Sequence, residues 1–362
     1  MSANAQPDDA RLTWQGVRHY LNGHRHDLAR IADRLYPDHE RVGSTPLLTR
    51  DDWRLSEPLA LDRIALKWSG SAPPPAVTGD EREVRPALLE GGATYAATMM
   101  NHGRPGLFEN RPCYRLLDVG WPGLSFTRGS YFDGVNVGEA VAHELATAHL
   151  SQDDGLPFRS LIGDPTDLSR RAALPAVSML TLRRDSRTGE MTFVLHWRDP
   201  ARVAHGGGLY QVMPVGIFQP VSEATEAEDF DLWKCVVREY GEEFLGRSEL
   251  YDEAFTYGSW PFYQQLEQAR ADGRLRSFAL GLGVDPLTFA TDLLAVTVIE
   301  AETFDAILGD IVESNEEGRV IGATGIPFRA DQVARYVHDE PMQAAGAAVL
   351  ELAWKHRRAL AP

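Results

Sequence analysis

The chain has 362 residues, of which 43% are hydrophobic, 9% aromatic and 24% charged. That composition supplies enough apolar side chains for a packed core in one or two domains, and it excludes a wholly disordered chain. The formal charge of −16 disfavours broad binding to nucleic acid or to an anionic membrane, whereas a small phosphorylated ligand remains open.

Cysteine content and hydropathy indicate the cellular compartment in which the protein is expected. Cys113 and Cys235 are the only cysteines, which fits a reducing cytoplasm and argues against a disulfide framework or a structural zinc site. Residues 1–11 are polar, and no window reaches the ~18 continuous apolar residues that a membrane span needs. The sequence therefore predicts a cytoplasmic protein without a membrane partner, and it leaves a homodimer open.

The first 172 residues predict an α+β extension of unknown role. Residues 1–10 are expected to be disordered, and residues 12–35 have the spacing of one amphipathic helix. Residues 69–79, with three consecutive prolines, predict a loop. Short apolar runs over 114–132 predict strands, a helix is expected over 137–150, and residues 155–173 form a passage to a second unit.

Residues 173–362 predict a second domain that opens with a hairpin of strands 177–183 and 191–198. A short strand over 210–213 follows, and an acidic loop leads into a helix over 229–245 that Gly246 closes. Beyond it we predict helices over 262–272 and 303–312, a strand over 290–299, a second acidic loop over 313–318 and two final helices.

The helix over 229–245 carries two different faces. Its apolar side chains fall on one stripe, which predicts burial: Trp233, Val236, Val237, Tyr240 and Phe244. Glu239, Glu242 and Glu243 fall at i, i+3 and i+4 on another face, where like charges repel. A bound Mg²⁺ or Mn²⁺ would relieve that repulsion, so we predict that the three carboxylates face one cleft. A solvated surface face is the alternative.

At this point the sequence resembles the Nudix hydrolase family. Residues 238–243, Arg-Glu-Tyr-Gly-Glu-Glu, match the second half of the family's box, and the hairpin with residues 210–216 resembles the strands and turn before it. The resemblance covers roughly residues 175–345 and extends to actinobacterial proteins that join an N-terminal extension to a Nudix-like domain. It implies an α/β (α+β) fold: a mixed-sheet α/β/α sandwich with an additional N-terminal α+β domain.

The match departs from the family in the first half of the box. The family places its Gly fourteen residues before the Arg, but Gly216 precedes Arg238 by 22. Phe230 stands where the family has its first Glu, and the closing Gly is one place late at Gly246. An insertion of about eight residues restores the register, so residues 217–229 are predicted to form an extended acidic loop.

The resemblance implies a pyrophosphohydrolase that cleaves a nucleoside diphosphate derivative with Mg²⁺ or Mn²⁺. Glu239, Glu242 and Glu243 would bind the metal, and Arg238 would anchor the glutamate loop. Glu316 and Glu317 are candidates for a base or an extra ligand, with a solvated loop as the alternative. Gly216 would shape the turn. Arg198, with Arg202 and His205, is a candidate for contact with ligand phosphates, with placement on the surface away from the ligand as the alternative.

A non-catalytic Nudix-fold ligand sensor or scaffold is the competing hypothesis. The displaced Gly and the missing first Glu favour it, whereas the three glutamates favour the enzyme. Two other motifs are interpreted as structural. His143 and His149 do not have the spacing of a zinc-binding helix, and residues 206–208 form a strand-entry turn and not a phosphate loop.

Overall fold

The protein is an α/β structure built on a large mixed sheet. The computed structural model describes residues 12–89, 92–106, 108–199, 202, 207–247, 255–315 and 318–360. Within these ranges no helix is long and apolar enough to cross a membrane. The expected disorder of residues 1–10 lies outside the described residues.

The part of the chain before residue 173 contains five α-helices, three short 3-10 helices and six strands in its described residues. The helices are α1 (Trp14–Gly23), α2 (Arg25–Asp33), α3 (Tyr95–His102), α4 (Tyr131–Ser151) and α5 (Pro157–Ile162). The strands are β1 (Glu40–Arg41), β2 (Leu48–Thr49), β3 (Arg54–Ala60), β4 (Ala65–Trp68), β5 (Pro112–Gly120) and β6 (Gly123–Ser130).

The remainder supplies most of the large sheet. Its strands are β7 (Pro175–Arg184), β8 (Met191–Arg198), β9 (Tyr210–Val212), β10 (Val215–Ile217), β11 (Leu275–Val284), β12 (Thr291–Glu300) and β13 (Gly318–Pro327). Its helices are α6 (Leu232–Glu239), α7 (Pro261–Ala271), α8 (Ala301–Leu308), α9 (Ala330–Ala334), α10 (Ala344–Lys355) and α11 (Arg357–Leu360).

Ten strands form the large sheet, whose main path runs β1-β2-β11-β12-β7-β8-β13. Strands β3, β9 and β10 pair with β11, β8 and β7 respectively. The central pair β12–β7 is parallel, and the other pairs of this sheet are antiparallel. A separate sheet has the order β4-β6-β5.

Helices cover both faces of the large sheet, as strand alternation requires. Odd-numbered residues of β12 such as Leu293 and Ala295 belong to the core that includes α6. Even-numbered residues such as Leu294 and Val296 belong to the core that includes α10. Because successive strand side chains point to opposite faces, the mixed sheet lies between two helical layers, as expected for the fold class.

Several predicted elements are confirmed with shifted bounds, two predicted helices of the N-terminal part need correction, and one long strand was not predicted. Residues 12–35 form two helices and not one, because the backbone breaks at His24 (φ −131°). The long helix begins at Tyr131 and not at 137, since Ser130 and Asp133 form a capping box. Strand β11 was not predicted, because Gly281 sits at a bulge with φ +143° and interrupts the apolar alternation.

The N-terminal segment contributes to the same sheet as the rest of the chain. Strand β3 pairs with β11, with Phe278 opposite Ala60. Strand β5 also reaches across, because Leu116 N donates to Ala173 O at 2.8 Å. The division into domains 1–172 and 173–362 stays a prediction, although backbone hydrogen bonds join the two parts.

Candidate functional site

The segment between β10 and α6 is the acidic loop that the sequence predicts. Strand β10 ends at Ile217, and between it and α6 the described chain has one helical element, a 3-10 turn over Glu223–Thr225. Asp231 caps α6, accepting from Trp233 N at 2.8 Å and Lys234 N at 3.0 Å. The helix therefore begins at Leu232, three residues later than the expected 229.

The predicted continuous helix over 229–245 is wrong at its C-terminal end. α6 stops at Glu239 and continues as a π-helical turn over Tyr240–Phe244. The five residues of the apolar stripe are nevertheless all buried. The Tyr240 hydroxyl lies 2.9 Å from Thr181 Oγ1 on β7, so the turn is fastened to the sheet. A π turn inside a helix changes which side chains share a face, and such turns often occur at functional sites.

Arg238 holds the acidic loop together from inside the fold. Its Nη1 lies 3.2 Å from Asp229 Oδ1, and Nη2 donates to the Gln219 carbonyl at 2.5 Å. It also donates to the Tyr257 hydroxyl. Burial alone would lower the pKa of Arg238, but Cys235, Tyr257 and Asp229 raise it above its usual value, so the guanidinium stays charged.

Two of the three glutamates contact the backbone of β10. The Glu243 side chain is buried, and Val215 N donates to its Oε1 at 3.2 Å. The Glu239 carboxyl group lies directly against Gly216. Glu239 and Glu242 are half-buried, and no glutamate of the three is fully exposed to solvent.

The Cys235 thiol reports on the electrostatics of this cluster. Burial is the main cause that raises the pKa of Cys235 to about 12; Arg238 acts to lower this pKa, and Glu239 and Glu242 act to raise it. Both carboxylates therefore lie close enough to act on one buried group. Their closeness to Cys235 could not be inferred from the helical spacing alone.

The second acidic loop packs onto the end of the π turn. Val312 N donates to Phe244 O at 2.9 Å, and Asn315 Nδ2 donates to Glu243 O at 3.3 Å. Glu316 and Glu317 lie outside the described residues. The preceding residue, Asn315, thus contacts the main chain of a candidate metal ligand.

Two of the residues expected to meet ligand phosphates, Arg198 and Arg202, lie next to this loop. Arg198 ends β8, opposite Gly318, and its Nη1 donates to Gln211 Oε1 at 3.4 Å. Arg202 Nη1 donates to Asn315 O at 2.6 Å, which brings it close to the π turn. His205 lies outside the described residues.

Several residues at the site were missed by sequence reasoning. Tyr257 and Asp229 complete the environment of Arg238, although Tyr257 follows Arg238 by 19 residues. His196 is buried on β8. Burial is the larger cause and the charge of Arg198 the smaller cause that lower the pKa of His196 to about 3. A histidine on an apolar strand gives no separate sequence signal for this position.

The two motifs interpreted as structural remain so. His143 is buried on α4, and its Nδ1 lies 3.0 Å from the Tyr95 hydroxyl. Residues 207–208 form a turn before β9, with Gly208 at φ +82°; Gly206 lies outside the described residues. Across the described part of the chain, no group of three His, Cys, Asp or Glu side chains has the arrangement of a metal site.

Gly216→Ala is expected to lower the free energy of unfolding by about 1–3 kcal/mol through overpacking. An added Cβ would stand 1.9 Å from the Glu239 carboxyl carbon, so that side chain must move. Urea denaturation of a double-mutant cycle with Glu239→Ala measures the coupling. If Gly216→Ala lowers the free energy of unfolding equally with and without the Glu239 side chain, the contact between the added Cβ and Glu239 does not cause the loss.

The chain was compared with protein-family models and with curated proteins. No protein-family model matches the chain, and no curated protein matches it significantly.

Proposed function

We propose that the protein is a Nudix-type hydrolase that uses Mg²⁺ or Mn²⁺ to cleave a nucleoside diphosphate derivative. The observation that supports this most directly is the meeting of the glutamate turn with β10. Glu239 lies against Gly216, and Glu243 accepts a hydrogen bond from Val215 N. A glycine at the strand is thus what allows a glutamate of the helix to approach its backbone.

The donor set fits a hard divalent cation in part. Glu239 and Glu242 are half-buried carboxylates and would bind the ion. Glu243 is buried with one oxygen on a backbone N–H, so its role would be to hold the π turn against β10. When bound, the cation would neutralise charge on diphosphate oxygens and make a bound water more acidic.

The arginines would divide positioning and substrate binding between them. Arg238 has a 5% exposed side chain whose bonds go to Asp229, Gln219 and Tyr257, so it positions the turn and does not touch substrate. Arg202 is exposed and borders the π turn through Asn315. It would meet substrate phosphates, as Arg198 would from the end of β8.

A non-catalytic ligand sensor on the same fold is the second candidate, and Phe230 favours it. Phe230 occupies the place of the family's first Glu and packs into an aromatic cluster. Its ring centroid lies 5.0 Å from Tyr114 and 5.8 Å from Phe218. A carboxylate that the family uses is thereby replaced by part of the core.

The deciding experiment measures Mn²⁺-dependent stabilisation and phosphate release together. We expect Mn²⁺ to raise the melting temperature of the wild-type protein and to support hydrolysis of one of a panel of nucleoside diphosphate compounds. Glu242→Gln should fold normally, lose at least about 90% of that activity and show a smaller Mn²⁺ shift, because one ligand charge is removed.

Glu223→Gln, an exposed change in the same acidic loop, is the matched control and should behave as wild type. Equal Mn²⁺ shifts in wild type and Glu242→Gln would place the metal elsewhere. No shift and no hydrolysis in either protein would favour the sensor.

A further inference from the structure

A segment that is distant in sequence, between α8 and β13, caps the end of the π turn. The last carbonyl groups of a helix have no donor within the helix, and this segment supplies donors for two of them. Glu243 O accepts from Asn315 Nδ2 at 3.3 Å, across 72 residues of sequence. Phe244 O accepts from Val312 N at 2.9 Å. An added Cβ at Gly246 would stand 3.2 Å from Val312 Cγ1, so the segment is packed against the turn as well as bonded to it.

Glu243 is held by both its side chain and its main chain. The side chain is buried and accepts from Val215 N of β10 at 3.2 Å, while the carbonyl accepts from Asn315. Glu242, the half-buried candidate ligand, is the residue immediately before it. Attachments to two different elements fix the backbone at this point, so they also fix the direction in which the Glu242 side chain leaves it.

The Asn315 amide is itself fastened to the large sheet. Its Oδ1 accepts from Gly318 N at 2.9 Å, and its main-chain N–H donates to Gly318 O at 2.9 Å. Gly318 begins β13 opposite Arg198, and an added Cβ there would stand 2.0 Å from Trp197 O. One amide thus accepts from β13 and donates to the π turn. A carboxylate or an apolar side chain cannot make both bonds, because neither has both an acceptor and a donor.

The main chain of Asn315 also holds Arg202. Arg202 Nη1 donates to Asn315 O at 2.6 Å, and its Nε lies 3.4 Å from Asp199 Oδ2. The Arg202 side chain is 48% exposed. A guanidinium group has five N–H donors, so these two contacts orient it and leave other donors for a phosphate. A displacement of Asn315 would therefore move both the end of the π turn and this guanidinium.

We infer that Asn315 is a positioning residue that fixes the π turn relative to Arg202. It touches neither the metal nor the phosphate. It keeps one separation between the carboxylates that would bind the cation and the guanidinium that would bind the diphosphate, so that a metal-bound nucleoside diphosphate meets both at once. This role rests on the metal and diphosphate site proposed above but does not require hydrolysis, so binding measurements are sufficient to test it.

Calorimetric titration of the full chain with Mn²⁺ alone, and with ADP in excess Mn²⁺, measures the two sides of the site separately. We expect Asn315→Leu, a substitution of similar size, to weaken Mn²⁺ binding about fivefold, as the loss of one hydrogen bond would. It should weaken ADP binding by about the same factor. Arg202→Gln should weaken ADP binding at least as much and leave the binding of Mn²⁺ alone unchanged, because it removes only the guanidinium group.

The double variant shows whether Asn315 acts on ADP through Arg202. In the Arg202→Gln background, Asn315→Leu should still weaken Mn²⁺ binding about fivefold, but it should weaken ADP binding no further. Ser314→Ala, at an exposed position next to Asn315, is the matched control and should bind both probes as the wild type does. Asn315→Ala is the second variant at the same position and should behave as Asn315→Leu.

Misfolded protein lowers the number of sites per chain and leaves the dissociation constant unchanged, which separates it from a positioning effect. Dissociation constants within about twofold of wild type for both probes would overturn the role of Asn315 and leave the proposed site intact. Equal losses of ADP affinity with and without Arg202 would overturn it as well, as would loss of folding in both Asn315 variants, which would assign the residue to stability alone. Wild-type protein that binds neither probe would overturn the proposed metal site itself, and the role of Asn315 with it.

Discussion

Replacing Arg238 with methionine is expected to lower the free energy of unfolding by about 3–5 kcal/mol, the cost of leaving a buried charge without its partner. The side chains of Arg238 and Asp229 are 5% and 1% exposed. Asp229 Oδ2 also accepts from Val221 N at 2.8 Å, so the carboxylate cannot turn to solvent without releasing the loop. Urea denaturation gives the measurement.

The double variant with Asp229→Asn distinguishes an unpaired charge from lost packing. We expect it to recover part of the stability, because no ion is then left buried. Arg187→Met, at an exposed turn between β7 and β8, is the control and should change stability by less than about 0.5 kcal/mol. A loss of similar size at both positions would show that Arg238 does not hold the loop.

Glu139→Gln should have a comparable effect, about 3–5 kcal/mol, at the other buried ion cluster. Glu139 is 2% exposed on α4. It pairs with Arg18 and accepts from Arg25 Nη2 at 2.8 Å and Nη1 at 3.1 Å. Removing its charge leaves two buried guanidinium groups with a neutral amide. Urea denaturation again measures the loss.

Glu144→Gln is the matched control on the same helix. Glu144 accepts hydrogen bonds from two main-chain N–H groups, Phe158 N at 2.7 Å and Arg159 N at 2.9 Å. We expect about 1–2 kcal/mol for that change, as for hydrogen bonds to a charged group. Adding Arg18→Gln to Glu139→Gln should restore part of the stability. If Glu139→Gln costs no more than Glu144→Gln, the two arginines do not depend on the carboxylate.

Local patterns were sufficient to predict the elements that local forces determine. The hairpin of β7 and β8, the acidic loop and the buried stripe of α6 follow from alternation, turn residues and helical spacing. The α/β class follows from the same signals. Strand β11 was missed because Gly281 and its bulge are meaningful only beside β12 and β3.

The candidate site shows why some structural features could not be predicted from local sequence patterns. The i, i+3, i+4 spacing of the glutamates fits an α-helix, yet the π turn begins at Tyr240, whose hydroxyl bonds to Thr181 on a distant strand. Arg238 donates to Tyr257, a residue 19 positions later in the chain. The contact of Glu239 with Gly216 joins residues on two different elements. Tertiary packing decides each of these, and spacing alone does not.

The pairing of β2 and β3 with β11 also constrains the order in which the chain can acquire its structure during synthesis. The Thr49 hydroxyl donates to Leu282 O at 2.8 Å across a separation of 233 residues. A ribosome therefore releases residues 40–60 long before their strand partner exists. Until β11 emerges, that segment has unpaired backbone groups and exposed apolar side chains, which is the state in which chains aggregate or recruit chaperones. Final closure of the sheet is consequently a late event, with the slow kinetics of non-local pairing.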